Sequence, residues 1–116
     1  MGRGAVNSGT VLARRKAFSA AALARLRQTP SEEVLSSLAI HCKADPTYQP
    51  IKDPGSRRWC VRTGCGEFEI LTTGVKWYDP RARTGGGGAI DLAMHILQVP
   101  FVDAVRILTT RIDAHG

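Results

Sequence analysis

The residues best suited to chemistry lie close together: Lys76, Trp77, Tyr78, Arg81 and Arg83, followed at once by Gly85-Gly86-Gly87-Gly88. Cations interleaved with aromatics suit a single-stranded nucleic acid, because rings stack on bases while cations follow the phosphates. Arg57, Arg58 and Arg62 stand a short distance upstream and can extend that surface. One of Trp77 and Tyr78 must face inward on so short a strand, and we assign Trp77 to the core and Tyr78 to solvent. The glycine run feeds a helical pattern, Ile90, Met94 and Leu97. A helix opened this way leaves its first N–H groups bare at the positive end of its dipole. Gly86 and Gly87 therefore admit two readings, an anion cradle with Arg81 and Arg83 at its mouth, or a hinge for close packing of strand and helix. Asp91 in the first turn would compete with a phosphate for those amides, which weights the choice toward the hinge.

Other reactive side chains give less. His95 sits between Met94 and Ile96 with no carboxylate or serine that the sequence can place beside it, so it reads as a half-buried structural histidine. Paired carboxylates, a nucleophilic triad and the Lys-Ser/Thr of a phosphate loop are all missing. Cys42, Cys60 and Cys65 are odd in number with no export signal, and read as reduced thiols of a cytoplasmic protein.

The elements that must position these groups follow from periodicity. Thr10 to Arg27 favours helix, with Val11, Phe18, Ala22 and Leu26 on one side and a second start offered at Ser19. Thr29-Pro30-Ser31-Glu32 opens a second helix, Thr29 capping, Pro30 at the first helical position and Glu32 completing a capping box. Arg57 to Cys65 contains a strand with Trp59 and Val61 on one face and Arg58, Cys60 and Arg62 on the other. Phe68, Ile70 and Thr72 alternate on a second strand, and Val75 to Tyr78 forms a third. Short turns between them predict an antiparallel three-stranded meander. Two helices close the chain, Ala89 to Gln98 and Pro100 to about Ile112, the latter striped by Phe101, Ala104, Val105 and Leu108. The fold expected is α+β, a small three-stranded antiparallel sheet with helices packed on one side.

At 116 residues the chain has room for one domain, residues 29–116, preceded by a basic arm or helix over residues 1–28. Residues 1–30 hold six basic side chains and no acid. The formal net charge of +6 makes a polyanion the expected partner, nucleic acid ahead of membrane. No apolar run is long enough to cross a bilayer.

From Gly74-Val75-Lys76-Trp77-Tyr78-Asp79 through the glycines to Ala89-Ile90-Asp91-Leu92 and Phe101-Val102-Asp103-Ala104-Val105, the chain resembles the N-terminal domain of CHC2-type DNA primases. It is most similar to the metal-poor version at the head of bacterial plasmid and mobile-element proteins that carry a Toprim domain. The resemblance runs from about Pro30 to Thr110, strongest between Trp77 and Leu108. It implies a noncatalytic module that recognises single-stranded DNA template, synthesis requiring a Toprim domain whose acidic motif is absent here. The alternative is a docking module for a replication or conjugation protein, with no direct nucleic-acid role.

That resemblance also raises zinc. Zinc-binding members carry a Cys/His pair before the strands and a Cys-x-x-Cys pair before the glycine loop. Here the second region reads Trp77-Tyr78-Asp79-Pro80-Arg81-Ala82-Arg83 and supplies neither residue type. His41, Cys42, Cys60 and Cys65 remain, but adjacent His41 and Cys42 diverge in direction, and the gap from Cys60 to Cys65 exceeds a hairpin knuckle. No cofactor is expected.

Overall fold

The computed structural model describes residues 18–112. Helix α1 (Ala20–Arg27) and helix α2 (Ser31–Leu38) precede strands β1 (His41–Ala44), β2 (Arg57–Thr63), β3 (Gly66–Thr73), β4 (Lys76–Asp79) and β5 (Thr84–Gly86). Helices α3 (Ala89–Leu97) and α4 (Phe101–Arg111) follow. The architecture is α+β, but the antiparallel sheet has five strands in the order β1-β2-β3-β4-β5, not three. The two additions are the edges. β1 carries His-Cys-Lys-Ala with no apolar alternation, and β5 is the first part of the glycine run, expected to be loop.

Strand alternation divides the sheet into two faces. Val61, Ile70 and Trp77 point inward to the helices with Leu26, Val34, Leu35, Leu92, Ile96, Val105 and Leu108, all buried. Trp77 is inward and Tyr78 outward, as expected from sequence. α3 is turned from its expected stripe: Ala89, Leu92, Ala93 and Ile96 are buried with Ile90, while Met94 and Leu97 are only half-buried. A helix apolar nearly all round leaves its facing to its neighbours, and α3 touches α1, α2, α4 and β5.

Of the first two helix starts, one falls where the sequence offers it and the other departs from expectation. Ser19, at the N-cap of α1, accepts a hydrogen bond from the Ala22 N–H at 3.1 Å. The earlier part of the expected first helix lies outside the described residues. In α2 Pro30 is the cap residue and no side chain caps the end; the Thr29 hydroxyl bonds the Arg25 carbonyl instead. The start is fixed from outside. The buried Ser31 donates its N–H to the Gly74 carbonyl at 2.8 Å and its hydroxyl to the Lys76 carbonyl at 3.2 Å. Gly74 stands at φ +64°, a conformation in which glycine escapes the Cβ clash, and it turns β3 into β4. No single helix among the described residues is long and apolar enough to cross a membrane.

Candidate nucleic-acid interface

The helices cover one face of the sheet. On the other, cross-strand register places Lys43, Arg58, Arg62, Lys76 and Tyr78 together, since directly paired residues point the same way. The row across the middle is Arg58, Leu71, Tyr78 and Gly85. Tyr78 is 43% exposed. A Cβ on Gly85 would lie 2.9 Å from Tyr78 Cδ1 and 2.8 Å from the Trp77 carbonyl oxygen, so the ring rests against bare glycine backbone. Gly85 is not distinguished from its neighbours by sequence; its place in a strand rather than in a loop gives it this contact.

Arg57 does not join this surface. Its partner in register is the buried Thr72, so it leans to the helical side, where it meets Glu32 of α2 at 3.8 Å. Arg81 does join it, but not at the helix mouth. It reaches back across β3 to the Glu69 carboxylate, both Nε and Nη2 lying 3.2 Å from Oε1. Arg58 Nη2 meets Glu69 Oε2 at 2.8 Å, and Arg58 Nε lies 3.4 Å from Asp45 Oδ2 without hydrogen-bond alignment. Arg83 is exposed, at φ +55°, a left-handed conformation unusual for a side chain of its size.

The glycine loop serves packing at one position and is open at the next. A Cβ on Gly86 would lie 2.8 Å from Trp77 Nε1 and 3.0 Å from Asp91 Cβ. Gly87 has open space around it, and neither has a left-handed backbone. The cation beside this helix start is Arg27, whose stem passes 3.8 Å from where a Gly88 Cβ would be.

The turn that presents Arg81 and Arg83 hangs on Asp79, a residue that the sequence alone does not single out. Asp79 is buried, and its Oδ1 accepts the N–H groups of Arg81 at 3.0 Å and Ala82 at 3.1 Å. Its Oδ2 lies 2.7 Å from His95 Nε2. His95 has the carboxylate partner that could not be placed from sequence, and packs its ring 5.0 Å from Trp77 and 5.5 Å from Phe68 between centroids. Burial pushes the Asp79 carboxyl up, but the His95 bond and charge and the two backbone N–H groups outweigh it and hold the carboxyl below its ordinary range. The pair ties α3 to the end of β4 and fixes the turn. The only local hint was Asp-Pro at a strand end, a turn-initiating dipeptide.

The three thiols and the His41 imidazole are dispersed over both faces of the sheet and a turn. Cys42 pairs in register with the buried Val61 and so lies toward the helices, while His41 and Cys60 lie on the open face. Cys65 is in the β2–β3 turn, its Sγ 3.1 Å from the Leu97 carbonyl oxygen. Burial, then Cys60 and Glu32, push the Cys42 thiol up, away from the thiolate that metal binding requires. No cluster of three or more His, Cys, Asp or Glu poised for a metal occurs among the described residues.

No protein-family model matches the chain, and no solved structure matches it. A protein of Zymomonas mobilis subsp. mobilis described as "65 kDa protein" is 36% identical over 101 residues, which cover 86% of this chain and 14% of that protein. The chain is thus similar to about one-seventh of the length of a curated relative.

Proposed function

We propose that the open face of the sheet binds single-stranded nucleic acid, DNA in the first place, and that the domain does so without catalysis of its own. The observation that carries this reading is that Lys43, Arg58, Arg62, Lys76 and Arg81 share with exposed Tyr78 the sheet face that no described helix covers. A flat strand surface with a ring among cations lets bases stack while phosphates find charge on either side. The net charge of +6 adds long-range attraction. The resemblance to the template-recognition domain of mobile-element primases points the same way. So does the similarity to a small part of a much longer protein, because a recognition head works joined to other domains.

Titrating labelled single-stranded and duplex oligonucleotides at two salt concentrations tests the reading. Single strands should bind more tightly than duplex, and affinity should fall with salt. Replacing Arg62, Lys76 and Arg81 together by Ala should flatten the log–log salt slope by about 2, at about 0.7 per phosphate contact. No binding at low salt, or an unchanged slope, would reject it. Absence of binding would favour the docking alternative, for which Phe101 and Val102, 38% and 41% exposed on α4, are the specific support.

A further inference from the structure

The open face is not uniformly cationic, and its exceptions bear on which bases it accepts. Glu67 and Glu69 lie two residues apart on β3, the central strand, in the midst of the arginines. Toward a phosphate backbone both carboxylates are repulsive. The surface ion pairs of Glu69 contribute little to folding. They line a cleft of about 480 Å³ whose polar wall is completed by His41, Cys60, Arg62 and Arg81. That volume is in the range of small-ligand sites.

The chemistry of the wall is an acceptor beside a donor. Glu69 accepts the Arg81 Nε–H at 3.2 Å, with Arg58 Nη2 at 2.8 Å and Arg81 Nη2 at 3.2 Å in ion-pair contact. A carboxylate offers about four lone-pair sites, so it retains acceptor capacity. Glu67 is exposed and lies opposite Arg62 in register, which sets a second carboxylate and guanidinium on neighbouring strands of the same face. A base edge that fits such a wall offers an amino group to the carboxylate and a ring nitrogen or carbonyl to the guanidinium. Cytosine does so with its N4 amine and its N3 and O2 acceptors. Uracil and thymine place a carbonyl oxygen where cytosine has the amine, and oxygen would then face carboxylate with no proton between them. The adjoining row holds Tyr78, on which a neighbouring base can stack.

We infer that this cleft takes one unstacked base of a bound single strand and selects for an exocyclic amine, with Glu67 and Glu69 as the selecting residues. The inference rests on the nucleic-acid reading of the same face. Its test is the affinity of the full chain for oligo-deoxycytidine against oligo-deoxyuridine of about 12 nucleotides, a length within single-strand site sizes. These probes differ by amine against carbonyl at position 4 of the ring and by a bare against a protonated N3 beside it. The wild type should prefer cytosine by about fivefold or more, the low end for one good base contact. Glu67→Gln/Glu69→Gln protein, checked for an unchanged thermal midpoint, should bind both probes more tightly and bring their ratio toward one. Equal wild-type affinity for the two, or a ratio the double variant leaves unchanged, overturns the base selection while the nucleic-acid reading stands. Failure to bind either probe overturns both.

Discussion

Gly86 and Gly87 are chemically identical neighbours with different work. A methyl at Gly86 must displace the indole of Trp77, which is buried and has little freedom to shift. Gly86→Ala should therefore lower stability by about 1–3 kcal/mol, the usual cost of overpacking. Gly87→Ala meets open space and should be neutral or stabilising by up to about 1 kcal/mol through the unfolded chain. Thermal or urea unfolding of the two variants checks this, and equal losses would contradict the contact at Gly86. Asp79 makes a pH prediction. A carboxyl whose pKa is lower folded than unfolded contributes its stability in full above the unfolded value, and loses it as pH falls through the folded one. Asp79→Asn keeps an oxygen for the turn but loses the charge facing His95, and should cost about 2 kcal/mol near neutral pH. The gap between variant and wild type should close below about pH 4, in the acid range where carboxylates protonate. A gap independent of pH would mean that the charge of Asp79 contributes nothing. Neither feature was readable in sequence at full depth, since Asp79 and His95 are sixteen residues apart and meet only because β4 and α3 pack.

Among the elements, β2 and β3 were legible because their apolar residues alternate, and that alternation placed Arg58 and Arg62 on one face. It also separates Arg57 from them, one residue being enough to reverse a side chain. Arg57 is thus an internal control. Arg57→Ala should leave the salt slope of oligonucleotide binding nearly unchanged, while Arg62→Ala lowers it by about 0.7. Equal effects would show that the strand faces do not decide which cations meet the ligand. β1 was illegible because its four residues hold no apolar repeat; it pairs through backbone, His41 opposite Arg62 to Ala44 opposite Trp59. β5 was illegible for the opposite reason. Glycine disfavours a strand by propensity, yet beside Trp77 and Tyr78 only glycine leaves the space that pairing needs. Tertiary packing reversed the local preference at this edge.

At the scale of the whole molecule the helical layer was foreseeable and the width of the sheet was not. The outward placing of Tyr78, Arg58 and Arg62 was legible in strand alternation, whereas the Glu69 bridge between Arg58 and Arg81 needed coordinates, because it joins three segments. The strand order carries a last consequence. Every strand hydrogen-bonds to its neighbours in sequence, so the sheet closes without a crossover. Pairings between near neighbours cost little loop entropy and can form early on the folding path. The β2–β3–β4 meander, with the most extensive pairing at its centre, is the expected nucleus. Gly74 turns its second hairpin at φ +64°, where alanine costs about 1 kcal/mol. Gly74→Ala should accordingly slow refolding in stopped-flow experiments and leave the unfolding rate almost unaltered. A loss confined to the unfolding limb would instead make this turn a late event, with the helices gathering first and the sheet closing over them.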